Sequence, residues 1–92
     1  MSDLPIIHNP KNSRFELTLE GHTAVLEYTQ NAEKMIFTHT GVPAELGGRG
    51  LGGALARAGL EFARAEGKKV VPLCSFVAGY LAKHPEYADL VA

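Results

Sequence analysis

From Pro43 to Leu55 the chain runs Pro-Ala-Glu-Leu-Gly-Gly-Arg-Gly-Leu-Gly-Gly-Ala-Leu, with five glycines in the seven positions Gly47 to Gly53. Before this stretch, apolar residues alternate with polar ones up to about Gly41. After it, from Gly50, they recur at helical spacing. The order is strand, glycine-rich turn, helix. The first backbone N–H groups of such a helix have no partner inside it, and the helix dipole adds partial positive charge there. Glycine lets a phosphate reach that backbone without meeting a Cβ. The segment therefore fixes a β–loop–α unit and makes a candidate anion site. The same glycines also suit a connection that lets helix and sheet pack closely.

The flanking pattern sets the rest of the fold. Ile6-Ile7 can form a short strand closed by Asn9-Pro10. Phe15, Leu17 and Leu19 alternate with Glu16, Thr18 and Glu20, which predicts a half-buried strand over 14–20. Ala24, Leu26 and Tyr28 predict a second over 23–29, and Met35, Phe37 and His39 a third over 34–40 with those three on one face. Short turns between them, at Gly21-His22 and Gln30 to Glu33, imply an antiparallel meander. Leu51, Leu55, Ala58 or Gly59, Phe62 and Ala65 mark the core side of a helix that stops at Gly67. Lys68 to Cys74 predicts a strand. Its apolar run suits cover on both faces, while Pro72 argues for an edge. Ser75 can cap a second helix carrying Phe76, Val77, Tyr80 and Leu81, ended by Pro85, with one more helical turn over 86–91.

The third strand, the first helix and the Val70 strand make a βαβ unit whose two strands should be parallel. The expected fold class is α/β (α+β-like). Its sheet is mixed, an antiparallel meander plus one parallel strand, with two main helices in a single domain over residues 1–92.

Composition removes several function classes. The formal net charge of −1 gives no pull toward nucleic acid or an anionic membrane. No apolar run approaches the roughly 20 residues of a membrane span. The start, Met1-Ser2-Asp3-Leu4-Pro5, lacks the basic and apolar parts of a secretory leader. The sole cysteine, Cys74, cannot form an internal disulfide and fits a cytoplasmic setting. No His, Cys, Asp and Glu have metal-ligand spacing, so no metal is expected.

The glycine loop departs from the two familiar phosphate motifs. A P-loop ends in Gly-Lys-Ser/Thr, and here Gly52-Gly53-Ala54 stands instead. Gly48, Gly50 and Gly53 match dinucleotide spacing by letter, but the meander and the short remainder leave no Rossmann sheet. Gly50-Leu51-Gly52 after a strand resembles the acetyl-CoA pyrophosphate loop of the GNAT superfamily of N-acetyltransferases, Gln/Arg-x-x-Gly-x-Gly/Ala. Three blocks are similar to its minimal single-domain YjdJ-type branch: Phe37 to Pro43, Gly48 to Gly52, and Pro72 to Val77. So is the tail from Tyr80 to Tyr87. In this chain the Gln/Arg slot falls on Gly47, which puts Arg49 forward as the replacement contact.

The resemblance implies acetyl-CoA as donor and a primary amine as acceptor. The pyrophosphate would rest on Gly48, Arg49, Gly50, Leu51, Gly52 and Gly53. The pantetheine arm would pair with backbone at Thr40, Gly41 and Val42. Cys74, at a strand end and a helix start, is the candidate catalytic thiol, either as a carrier of the acetyl group or beside a direct transfer. His39 is a candidate base, and Tyr80 a candidate acid for the leaving CoA thiolate. The short chain implies an open acceptor site, which suits a protein or peptide lysine. A non-catalytic acyl-CoA binding or sensing module is the alternative. His8 and His22 are expected in turns.

Overall fold

A computed structural model describes residues 4–92. The leader reading falls partly on residues 1–3, outside the described residues. Five strands run in order: β1 (Ile6–Asn9), β2 (Arg14–Leu19), β3 (His22–Gln30), β4 (Lys34–Gly41) and β5 (Lys69–Pro72). They lie side by side in sequence order in one sheet. β1 to β4 pair antiparallel, and β4 pairs with β5 in parallel through helix α1 (Leu51–Ala65). Helix α2 (Ser75–Lys83) and a 3₁₀ segment (Pro85–Leu90) follow. The mixed sheet and two main helices are those expected.

Two residues make the β2–β3 turn, Glu20 (φ 53°) and Gly21 (φ 78°), both left-handed as a type I′ hairpin requires. Alternation sorts the sheet faces. Phe15, Leu17, Ala24, Leu26, Tyr28, Met35, Phe37 and Val70 are buried on one side, and the residues between them are half-buried or exposed. Both helices join the core formed on that side through Leu51, Leu55, Leu60, Ala63 and Val77.

The α1 stripe drifts from its expected position. Ala56, Gly59, Leu60 and Ala63 are buried, Phe62 is half-buried and Ala65 is exposed. At Gly59 the helix backbone comes close to the sheet's side chains. A Cβ there would stand 2.8 Å from the Phe37 ring and 2.9 Å from Leu26. After α1 the chain reverses at Gly67 (φ 69°).

Three local expectations need correction. β5 is not covered on both faces: only Val70 is fully buried, and Val71 and Pro72 are half-buried. Val91 bridges Val70 on its far side. The cap of α2 is Cys74, with Ser75 as the first helical residue. His8 is not in a turn. It lies in β1, stacked on Phe15 at 4.3 Å and edge-on to Phe62 at 4.4 Å, with Nε2 2.6 Å from the Tyr28 hydroxyl. Alternation with Ile6 puts it on the core side.

The last segment is stapled to α1. The Tyr87 hydroxyl donates to Glu61 at 2.6 Å, and Arg64 holds Asp89 with two bonds at 2.9 and 3.1 Å. Burial and the Glu61 bond push the Tyr87 phenol up to about 12, so it stays a donor.

Candidate functional site

The site is assembled where β4 and β5 part. Their pairing ends at Phe37 and Pro72, and the Cys74 amide closes it by donating to the Phe37 carbonyl at 2.9 Å. β4 continues to Gly41. Along 38–41 it has no paired strand on the β5 side among the described residues.

A bulge decides which side chains face this gap. Tyr28 pairs with Phe37, but Glu27 pairs with His39, so Thr38 is an extra residue in β4. Its hydroxyl donates to the Glu27 carbonyl at 3.3 Å. Past the bulge the alternation is inverted. Thr40 pairs with the fully buried Leu26 and joins the core side. His39 goes to the opposite face, exposed, with Nε2 only 3.1 Å from where a Cβ on Gly41 would stand. His39 therefore does not share the Met35 and Phe37 face, as simple alternation predicts.

Thr40 takes the place beside the thiol. Its Oγ1 is 3.3 Å from Cys74 Sγ, and Cys74 is half-buried. Burial pushes the Cys74 thiol up. The Thr40 hydroxyl and the backbone N–H groups of Val77, Phe76 and Thr40 outweigh it, so the thiol sits below the ordinary cysteine value. None of the α2 amides closes to a full capping bond, so their effect is that of the positive helix end.

The glycine loop lies between β4 and α1. Pro43 leads into a 3₁₀ turn (Ala44–Leu46), anchored by the fully buried Leu46. Gly48 (φ 79°) and Gly50 (φ 73°) are left-handed, with open space where a Cβ would be. Leu51 is the first residue of α1. Its cap, Gly50, supplies no side-chain bond, and no acidic residue sits in the first turn. The leading N–H groups thus keep their donors and positive potential. Gly52 and Gly53 face α2: Gly52 lies under the Phe76 ring, and Gly53 beside Tyr80.

Arg49 turns back to the β2–β3 hairpin and grips Glu20 with two bonds, 3.1 and 3.2 Å. That bond holds the Glu20 carboxyl below its usual range. Nothing in the sequence singled out Glu20 as a partner, because the pair spans two distant turns.

Tyr80 stacks on His84 at 3.9 Å, and burial raises its phenol. It borders a groove of about 420 Å³ with Leu4, Ile6, Ala54, Arg57, Ala58 and Glu61, and a smaller one with Phe76 and Lys83. Cys74 lines neither groove. Val42, Leu73 and Phe76 leave exposed apolar surface after β4, after β5 and in the first turn of α2. Among the described residues no cluster of His, Cys, Asp and Glu could hold a metal ion. No helix there is long and apolar enough to cross a membrane.

Known proteins are similar to this chain in sequence and fold. A family profile described as GCN5-related N-acetyl-transferase matches residues 14–90. Protein NATD1 of Xenopus tropicalis is 31% identical over 87 residues, covering 91% of this chain and 80% of that one. The solution structure of a GCN5-like N-acetyltransferase from Staphylococcus aureus superposes with a TM-score of 0.74 at 32% identity, over 100% of this chain and 91% of that chain. The profile spans both partners of the β4–β5 gap, the glycine loop and the thiol. The chain belongs to the GCN5-related N-acetyltransferase family.

Proposed function

We propose that this chain is a single-domain enzyme that transfers the acetyl group of acetyl-CoA to a primary amine. The observation that carries the reading is the meeting, at one end of the sheet, of an uncapped helix start, an unpaired β4 edge and a half-buried thiol. Acetyl-CoA would use the first two and bring its thioester toward the third. Its pyrophosphate needs N–H donors and positive potential, as at Gly48 to Gly53. Its pantetheine amides need a free strand edge, as at Thr40 to Val42. Its thioester would then lie toward Thr40 and Cys74.

In a direct transfer the amine nitrogen attacks the acetyl carbonyl carbon, the carbon–sulfur bond breaks, and CoA leaves as thiolate. Tyr80 keeps its proton at neutral pH and is a suitable donor to that thiolate. The nitrogen loses its proton to Cys74 thiolate or to water. His39 has no part in this scheme, because it lies on the other face of the sheet. The grooves beside Tyr80 are open, which favours an amine on a protein or peptide chain. The setting proposed is cytoplasmic.

The test is calorimetric and kinetic. Acetyl-CoA and CoA should raise the melting temperature by mass action, with little effect from NAD or ATP. CoA release should depend on added amine. Binding without amine-dependent release would make the chain an acyl-CoA binding module instead. A shift with NAD but none with CoA would remove the proposal.

A further inference from the structure

We infer that Thr40 is the positioning residue for Cys74: its hydroxyl fixes the sulfur at the β4–β5 gap and donates to it once the thiol ionises. The inference rests on the proposed transferase reading for its use, and on geometry for its existence.

Thr40 reaches the thiol only because of the β4 bulge. Without the extra residue at Thr38, strict alternation from Phe37 would place His39 inward and Thr40 outward. With it, Thr40 pairs with buried Leu26 and its Oγ1 comes within 3.3 Å of Sγ. The backbone cooperates, since the Cys74 amide is held by the Phe37 carbonyl at 2.9 Å. Both residues are thus located by strand ends, not by a mobile loop. Among the described residues no charged side chain shifts the thiol. The groups facing it are neutral: the Thr40 hydroxyl and backbone N–H from β4 and the first amides of α2. A hydroxyl can donate to thiolate and accept from thiol, so the contact survives both states.

Cys74 is the sole cysteine, so alkylation by iodoacetamide reports on it alone. The rate should be followed against pH for the wild type, Thr40→Val, Thr40→Ala and Thr40→Ser. Losing one hydrogen bond to the charged form should move the Val and Ala profiles to higher pH. Alkylation at neutral pH should then be slower by about three- to tenfold, and Thr40→Ser should restore the wild-type profile. If Thr40→Val does not fold, Thr40→Ala carries the same comparison. Superimposable profiles for the wild type and the folded hydroxyl-less variant would overturn the inference. Amine-dependent CoA release is measured beside it. A hydroxyl-dependent profile with no release in the wild type would remove the transferase reading and leave the Thr40–Cys74 coupling standing.

Discussion

The Phe76 ring lies directly over Gly52: a Cβ on that glycine would stand 2.8 Å from Cζ and within 3.3 Å of both Cε atoms. The start of α1 is thus locked to the first turn of α2 by an aromatic ring on a bare backbone. One glycine of the loop serves helix packing whatever it also does for a phosphate.

Gly52→Ala should therefore destabilise, by about 1–2 kcal/mol, because the Phe76 ring must swing away. Phe76 is partly exposed and has somewhere to go. Phe76→Leu should recover most of the loss, giving a coupling in a double-mutant cycle by chemical denaturation. Gly59→Ala should cost more, about 3 kcal/mol, because its walls are the fully buried Phe37 and Leu26. Equal effects at the two positions would contradict this account.

Gly50→Ala meets no neighbour, so its cost is conformational. A non-glycine residue held near φ 73° loses about 1–2 kcal/mol, partly offset by the lower entropy of the unfolded chain. Gly50→Val should add a loss of CoA affinity in titration calorimetry by obstructing the approach to the backbone. Gly50→Asn should be milder on stability than either.

Arg49 is paired with Glu20 through two bonds. If it serves the pyrophosphate, Arg49→Ala should weaken CoA binding several-fold. Glu20→Gln should strengthen it, since the arginine is no longer held by a carboxylate. Both effects should shrink at high salt, because the pair is exposed. Unchanged affinity in both variants would confine the pair to holding the loop.

Burial holds the His8 imidazole below its ordinary value of about 6.5. The unfolded chain then takes up a proton that the folded chain resists. Stability from this group is fully present above about pH 6.5 and declines as the pH falls toward the folded value. The melting temperature should drop as the pH falls below about 6.5. His8→Gln, which can still hydrogen-bond Tyr28, should flatten that decline.

Cys74→Ser and Cys74→Ala separate the two mechanisms. Under direct transfer with water taking the amine proton both keep substantial turnover, and wild-type protein incubated with acetyl-CoA alone shows no acetyl adduct in its intact mass. If the thiol carries the acetyl group, both variants bind CoA but lose most activity, and the adduct appears.

Much of this molecule follows from local chemistry in the sequence. Alternation at Phe15, Leu17, Ala24, Leu26 and Tyr28 predicts the meander. Left-handed glycines at Gly50 and Gly67 bracket α1, because few other residues accept that backbone. The position of Cys74 at the head of α2 follows from the strand-to-helix change beside it. All of these depend on residues close together in the chain. What tertiary structure decided lies where distant segments meet. The Thr38 bulge is set by how β4 pairs with β3, and it alone exchanges His39 for Thr40 beside the thiol. Arg49 finds Glu20 across two turns 29 positions apart. Gly52 owes its lack of a side chain to Phe76, and Gly59 to Phe37. Periodicity gives a side chain's face only while pairing stays regular, and one inserted residue reverses every face beyond it.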